Sequence, residues 1–240
     1  MQSALYVALS AQVAMEKRLN TVANNVANMN TGGFRADEVK FEEILSTVGK
    51  DDVAFASSGE NFISRRTGAI TRTDNPLDVA IQGDAWFAFE APNGTAYTRD
   101  GRLKMSENGD LQTIDGYPVI DAGGAPIALD PMGGAPVIGT DGAIMQDGNQ
   151  VGTLGLFTLA QNSKLSRFGN SGVYSSVPGQ VVQDFTSTKV QQGHSEGSNV
   201  NPILELTKMI AIQRSFDGAA TTIQESESSL MSAIRTMGPS

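Results

Sequence analysis

The side chains most suited to catalysis by their type and number are carboxylates in the middle of the chain. Two carboxylates that converge in a cleft can act as general acid and base in glycoside hydrolysis. Several of these acids stand beside glycine, as is typical of turns, so we interpret them as turn residues. We therefore predict that the protein is not an enzyme. The acids concerned are Asp74, Asp78, Asp84, Glu90, Asp100, Glu107, Asp110, Asp115 and Asp121.

Nucleophilic and metal-binding chemistry has equally little support in the sequence. The chain has no cysteine, which excludes disulfides, thiolate metal sites and a cysteine nucleophile. Its one histidine, His194, excludes multi-histidine metal sites, and we interpret the glycine-flanked segment 192–197 as a solvated linker. The stretch from Asp141 to Asp147 lacks the ligand spacing and the closing glutamate of a calcium loop. We expect no catalytic residue, no cofactor and no bound metal.

The composition favours a folded protein whose surfaces meet other proteins. The 240 residues are 40% hydrophobic, but only 18% are charged, against about 25% in an average protein. The net charge of −9 disfavours nucleic acid and anionic membranes as partners. No run of roughly 18 apolar residues exists, so we expect no membrane span. The N-terminus lacks the basic start of a secretory signal, so we expect that, if the protein leaves the cytoplasm, no cleaved signal peptide of the usual kind takes it there.

Both ends of the chain are predicted to be long helices. Residues 1–31 contain neither glycine nor proline, and apolar residues recur there alternately three and four positions apart. We predict one helix that ends at the glycine pair 32–33. The same spacing returns after Asn201-Pro202, a typical helix start, and continues to Gly238-Pro239.

Each of these helices carries a narrow apolar stripe that it cannot bury on itself. We therefore predict that the N- and C-terminal helices pair as a coiled-coil-like layer. The alternative is that they cover the central domain of their own chain. One seam cannot hold all the apolar residues, so we expect both helices to pack onto neighbouring copies. The residues that cannot all share it include Leu9, Val13, Ile203, Leu204, Leu206, Ile210 and Leu230.

The middle of the chain is predicted to be all-β, which makes the fold class α+β. Asn-Gly or Asp-Gly pairs recur every seven or eight residues from Asn93 to Gly116, and such pairs suit hairpin turns. We predict a meander of four short strands followed by a second set, in a closed or sandwiched domain. The predicted domains are 1–33 with 199–240 as a terminal helical domain, 34–72 as a connecting arm with Val39–Val48 helical, and 73–198 as the central β domain.

Five asparagines crowd the end of the first helix, which is unusual because asparagine competes for backbone hydrogen bonds inside a helix. A frayed, solvated helix end is one explanation; amide hydrogen bonds to neighbouring chains are the one we favour. Together with the apolar stripes, this gives a predicted assembly interface. Its residues are Leu5, Leu9, Met15, Leu19, Val22, Asn24, Asn25, Val26, Asn28, Met29, Met209, Ile212, Phe216, Ile223 and Leu230.

The asparagine-rich stretch also carries a family resemblance. Residues 23–35, ANNVANMNTGGFR, resemble the N-terminal signature of bacterial flagellar basal-body rod and hook proteins, A-N-N-[LI]-A-N-x-x-T-x-G-[FY]-[KR], with Val26 as a mild departure. Residues 75–84 are similar to the family's stretch that leads into the β domain, after which Ala85 replaces a common glycine. Residues 197–216 resemble its S-N-V-(N/D) start and M-I-x-x-Q-R-x-(F/Y) helix.

The resemblance implies a structural subunit of the proximal rod, with the distal-rod type as the nearest alternative. It implies export by the flagellar type III apparatus and assembly in the periplasm into a helical tube between motor and hook. The terminal helices would form the inner layer, and the β domain would lie outside. The implied partners are other proximal-rod subunits and distal-rod proteins of the FlgG type. The remaining alternatives are a periplasmic enzyme that acts on peptidoglycan and a soluble binding module.

Overall fold

The computed structural model describes residues 2–40, 43–46, 53–56 and 59–237. Its contacts divide the chain into two compact units. The terminal unit comprises the described residues of Met1–Ala27, Asp37–Phe62 and Asn201–Ser240, and the β unit comprises Asn28–Ala36 and Ile63–Val200. The division of the chain at residues 33, 72 and 198 stays a prediction.

The terminal unit combines two helices with short strands. Strand β1 pairs with β4, and β2 forms an antiparallel pair with β3. Within the described ranges, neither helix has the length and apolar character needed to cross a bilayer. The elements are α1 (Gln2–Ala27), β1 (Asp37–Lys40), β2 (Glu43–Ser46), β3 (Val53–Ala56), β4 (Glu60–Ile63, whose last residue belongs to the β unit) and α2 (Pro202–Met237).

Helix α2 begins where the sequence predicts. The Asn201 side-chain oxygen accepts a hydrogen bond from the Leu204 amide at 3.1 Å, and its carbonyl accepts one from the Glu205 amide at 3.0 Å. Asn201 is thus a side-chain N-cap, and Pro202 occupies the first turn, where a missing amide hydrogen costs nothing. The predicted stop at Gly238-Pro239 lies outside the described residues.

The predicted coiled-coil-like layer is wrong, although the α+β class is correct. Helix α1 is short: it has 26 residues against 36 in α2, and it ends at Ala27, before the predicted seam residue Met29. It contacts β1 and β3 as well as α2, so several elements share its surface. Its most buried side chains, Ala14, Val22 and Asn25, do not follow a heptad spacing.

The helix expected over Val39–Val48 is also wrong. The described residues of this stretch lie in β1 and β2, and residues 41, 42, 47 and 48 lie outside the description. Periodicity does not distinguish a helix from a strand in a short segment of mixed polarity. Here β1 pairs with β4 and β2 pairs with β3, and this pairing stabilises the strand conformation.

The β unit is built around a six-stranded antiparallel sheet with the order β15-β16-β8-β7-β14-β17. Smaller groups surround it: β9 with β10, β11 to β13, β6 with β18, and β5 with β19. The strands are β5 (Ile70–Arg72), β6 (Val79–Gln82), β7 (Trp86–Ala91), β8 (Gly94–Thr98), β9 (Leu103–Met105), β10 (Leu111–Thr113), β11 (Val137–Ile138), β12 (Ala143–Gln146), β13 (Asn149–Thr153), β14 (Leu156–Thr158), β15 (Leu165–Phe168), β16 (Gly172–Ser175), β17 (Gln180–Val181), β18 (Lys189–Gln192) and β19 (His194–Glu196).

The predicted turns are mostly correct, but the predicted single meander is not. Gly94, Gly109 and Gly116 have positive φ angles, as tight Asn-Gly and Asp-Gly turns require. Gly101 does not; its backbone passes so close to Val79 that a Cβ there would lie 1.7 Å from the Val79 carbonyl oxygen. Strand β8 joins the large sheet, whereas β9 and β10 form a separate pair.

Strand β7 is the centre of the hydrophobic core. Its side chains alternate between the two sheet faces, so Phe87 packs into one cluster with Leu111 and Leu156, and Trp86 into another with Tyr97. These side chains are almost completely buried. The larger cluster includes side chains from the six-stranded sheet and from the smaller strand groups, so it holds them together.

Candidate functional site

The predicted interface residues of α1 differ widely in exposure. Val22 and Asn25 are buried, Leu9 is 51% exposed, and Met15 and Leu19 are half-buried. Half-buried positions also include Asn24 and Val26 in the helix and Asn28 and Met29 in the turn after it. The Leu5 side chain lies outside the described side chains. As a set, these residues do not form one continuous exposed stripe.

The predicted residues of α2 form a half-buried face. Met209, Ile212, Phe216 and Ile223 follow the seam spacing and are all partly covered, and the side chain of Leu230 lies outside the described side chains. This face is therefore only partly available to another chain.

A more exposed apolar patch occupies the first turns of α2. Ile203 is 79% exposed, Ile210 is 52% exposed and Leu206 is 48% exposed. Their spacing of three and four residues places them on one side of the helix, away from the half-buried face. We call Ile203, Leu206 and Ile210 the α2 patch. Ile203, Leu206 and Ile210 are among the apolar residues that, on the sequence, cannot all share one seam.

Two of the five asparagines bond inside the terminal unit. The Asn25 amide nitrogen donates to the Asp37 carbonyl at 2.9 Å and to the Glu205 carboxylate at 3.3 Å, and its oxygen accepts from the Asp37 amide at 2.8 Å. Asn24 donates to the Asp37 carboxylate at 2.6 Å. These amides tie α1 to β1 and α2, while hydrogen bonds from the asparagine cluster to other chains stay a prediction.

The end of the N-terminal signature is buried in the β unit. Gly33 has a φ of +64°, and a Cβ there would lie 2.1 Å from the Asp100 amide nitrogen, so only glycine fits. Phe34 is fully buried, and the Arg167 guanidinium lies 4.3 Å from the centre of its ring. The signature thus places a backbone turn and an aromatic side chain in positions that tolerate few substitutions.

Arg35, the last residue of that signature, belongs to a buried ion network. Its guanidinium lies 2.8 Å from one oxygen of Glu196, and Arg99 lies 2.7 Å from the other. The Gly68 amide also donates to Glu196 at 2.9 Å. All three charged side chains are no more than 2% exposed. One carboxylate therefore joins three distant parts of the chain, and the interpretation of segment 192–197 as a solvated linker is wrong.

The network contains more positive than negative charge. Burial lowers the pKa of Arg35 to about 10, because desolvation and the neighbouring Arg99 outweigh the attraction of Glu196. Arg99 donates its other hydrogen bonds to the carbonyls of Gly83, Ala85 and Ile81. Carbonyl dipoles thus supply part of the compensation that a second carboxylate would provide.

Asn199 forms a junction close to this network. Its backbone amide donates to the Phe34 carbonyl at 3.2 Å, its side-chain oxygen accepts from the Ala36 amide at 2.7 Å, and its side-chain nitrogen donates to the Arg66 carbonyl at 2.8 Å. The Ser64 amide in turn donates to the Ala36 carbonyl at 2.8 Å. We call these contacts the Asn199 junction. It ties together three chain segments inside the β unit.

Several acids of the central region bond to residues two to four positions away, as expected of turn residues, whereas Asp84 accepts a hydrogen bond from Gln161, 77 positions away. Asp121 accepts hydrogen bonds from the amides of Gly123 and Ala125, which stabilises a turn. Asp100 pairs with Arg102 at 2.7 Å. Such contacts hold loops in place and do not arrange two carboxylates for acid–base chemistry.

Three models of known protein families match this chain. Residues 5–35 match the model described as "Flagella basal body rod protein", and residues 80–146 match the "Flagellar hook protein FlgE/F/G D1 domain". Residues 191–236 match the "Flagellar basal body rod FlgEFG protein C-terminal". The first match contains Arg35 and the third contains Glu196, two partners in the ion network.

Full-length relatives define the family. The chain is 50% identical over 238 residues to a flagellar basal-body rod protein FlgF of Mesorhizobium japonicum, with 99% of each chain covered. It is 49% identical to the FlgF of Rhizobium meliloti, with all of both chains covered, and 31% identical to a FlgG of Bacillus subtilis, with 98% of each covered. The chain belongs to the flagellar basal-body rod protein family.

Within this family the chain is a structural subunit of the proximal rod, which confirms the function and the family expected from the signature. It is not an enzyme, because its relatives in sequence are structural proteins of the flagellar rod. Other rod or hook components are its partners, and the flagellar basal body is its location.

Proposed function

We propose that the chain joins the periplasmic rod through its terminal unit, with the exposed apolar residues of both helices packed against neighbouring rod subunits. The observation that carries this proposal is the α2 patch. Three large aliphatic side chains about half exposed or more on one side of a helix are unusual for a surface that meets only water. Leu9 and Val13 of α1, each 51% exposed, extend the available apolar surface.

The predicted interface residues contribute in different ways. The half-buried face of α2 at Met209, Ile212, Phe216 and Ile223 has area left to bury on assembly. Val22 and Asn25 are already covered, so their role is to hold α1 in place. Complete burial of one such aliphatic side chain contributes about 1.5–3 kcal/mol, so a few of them account for a stable contact.

The test replaces the α2 patch. The triple variant Ile203→Ser, Leu206→Ser and Ile210→Ser should fold normally and lose assembly, measured by sedimentation of purified chain under conditions in which the unchanged protein forms filaments or oligomers. Swimming of cells that carry the variant as their only copy gives a second measurement. The matched control is Val137→Ser, which removes a side chain 61% exposed in the β unit. Assembly and swimming that match the control would contradict the proposal.

We also propose that the flagellar type III export apparatus delivers the chain, and that FlgG-type distal-rod proteins are its neighbours on one side. The family matches and the FlgG relative support this placement. Cell fractionation tests delivery: the chain should reach the periplasm in cells with an active flagellar export apparatus and stay inside cells that lack it. Cross-linking from position 203 to a FlgG protein tests the neighbour.

A further inference from the structure

A small cavity in the β unit is lined largely by hydroxyl and carboxylate side chains. It has a volume of about 20 Å³. A water molecule needs roughly 10–15 Å³ of such space, so the cavity has room for one water molecule and is too small for a larger ligand. Two phenylalanines, an isoleucine and a glycine complete the lining, whose polar residues are Thr98, Asp100, Thr113, Asp115 and Ser171.

The hydroxyl residues of this lining come from separate parts of the β unit. Thr98 is the last residue of β8 in the six-stranded sheet, and Thr113 is the last residue of β10 in the separate β9–β10 pair. Ser171 lies between β15 and β16, directly before β16 begins. We call the space lined by Thr98, Thr113 and Ser171 the hydroxyl cavity. A ligand bonded to all three would connect the large sheet to a smaller strand group.

The buried hydroxyl groups of the cavity are incompletely satisfied. Thr113 and Ser171 are each 9% exposed, and Thr98 is 3% exposed. The Thr113 oxygen accepts a hydrogen bond from the Tyr117 amide at 3.2 Å, but among the described residues its hydroxyl donates to none. A buried donor without an acceptor costs free energy, so Thr113 favours an acceptor inside the cavity.

The contact between Thr98 and Ser171 is long. The Thr98 hydroxyl lies 3.3 Å from both the carbonyl and the hydroxyl oxygen of Ser171. A good hydrogen bond between a hydroxyl and an oxygen atom measures about 2.5–3.0 Å, so these two contacts are weak. A small ligand that bonds to both hydroxyls would satisfy them better than they satisfy each other.

The charges around the cavity favour a neutral ligand over a cation. Both oxygens of Asp100 accept hydrogen bonds from Arg102, from its Nε at 2.9 Å and from its Nη2 at 2.7 Å, so the Asp100 charge is compensated. Asp115 is exposed, and solvent and salt screen its charge. The ligand must also donate and accept hydrogen bonds, as a water molecule does.

We propose that the hydroxyl cavity is a structural hydration site that holds one water molecule. The water accepts the Thr113 hydroxyl hydrogen, bonds to the hydroxyls of Thr98 and Ser171, and donates a hydrogen to a lining carboxylate. It thereby makes about three to four hydrogen bonds, as buried waters typically do. The site lies within the β unit and requires neither the α2 patch nor assembly.

The experiment counts long-lived water molecules in the purified, unassembled full chain by oxygen-17 magnetic relaxation dispersion. Thr113→Val replaces the hydroxyl with a methyl group and should lose one long-lived water, whereas Thr113→Ser keeps the hydroxyl and should keep the water. Ser171→Ala should lose the same water, so the double variant with Thr113→Val loses one and not two. The matched control is Thr95→Val, which changes an exposed threonine of β8 and should leave the count unchanged.

Unfolding in urea gives a second measurement. Each of Thr113→Val and Ser171→Ala should raise the unfolding equilibrium constant by about fivefold or more, as expected when a buried polar group loses its partner. Both changes act on one shared water, so the double variant should show less than the product of the two single effects. Circular dichroism and Trp86 fluorescence check that each variant folds; if Thr113→Val does not fold, Ser171→Ala provides the test.

Two results would overturn the proposal directly. One is a water count that is unchanged in both single variants, and the other is the loss of two waters in the double variant. Anomalous scattering from a rubidium ion in this cavity, in crystals of the full chain grown with rubidium chloride, would also contradict it, because that result would identify a cation site.

Discussion

Glu196 gives the sharpest test of how the β unit is held together. Its carboxylate neutralises Arg35 and Arg99 in a region where all three side chains are no more than 2% exposed. The variant Glu196→Gln keeps the shape of the side chain but removes its charge. Two buried guanidinium groups then share no counter-ion, and loss of one partner from a buried ion pair costs about 3–5 kcal/mol.

That cost is large for a unit of about 150 residues. At about 2–4 °C per kcal/mol, the melting temperature of the β unit should fall by about 10 °C. Thermal and urea unfolding, followed by circular dichroism and by the fluorescence of Trp86, measure the change. The control Glu107→Gln removes an exposed carboxylate and should alter the free energy of unfolding by less than about 0.5 kcal/mol.

A second variant tests the cause. Adding Arg35→Met to Glu196→Gln removes one of the uncompensated cations, so the double variant should be more stable than the sum of the two single changes predicts. An unsatisfied buried polar group costs at least about 1 kcal/mol. If the free energy of unfolding of Glu196→Gln differs from that of the unchanged protein by less than about 1 kcal/mol, the electrostatic argument is refuted.

Two further substitutions, each with a control, test one contact inside each unit. Gly33→Ala should destabilise the β unit by more than about 2 kcal/mol, since the new methyl group would meet the Asp100 amide, whereas Gly94→Ala, with open space around it, should cost only the strain of about 1 kcal/mol at a positive φ. Asn25→Ala should cost the terminal unit about 1–3 kcal/mol in urea unfolding because it leaves buried polar partners unsatisfied, and the exposed Asn20→Ala should have little effect. Equal losses in either pair would show that the contacts described here do not determine stability.

The sequence predicted the features that depend on neighbouring residues. Asn201-Pro202 starts α2 because a side-chain cap and a proline act within one turn of the helix. The glycine turns at 94, 109 and 116 likewise depend on the local backbone. The family signature also has this property, since it is a contiguous pattern that can be read without the fold.

The features that the sequence did not predict depend on distant residues. Arg35 and Glu196 are 161 positions apart, and the polar surroundings of Glu196 in the sequence indicate exposure and not burial. The coiled-coil-like layer failed for the same reason: a heptad pattern in α1 does not reveal that strands β1 and β3 share its surface.

The Asn199 junction has a mechanical consequence. Through it, the segments around Ala36, Ser64 and Asn199 are hydrogen-bonded to one another inside the β unit. A pulling force applied to one of these segments is therefore divided among bonds to the other two. To pull one segment out of the β unit, its hydrogen bonds to the other two segments must break together.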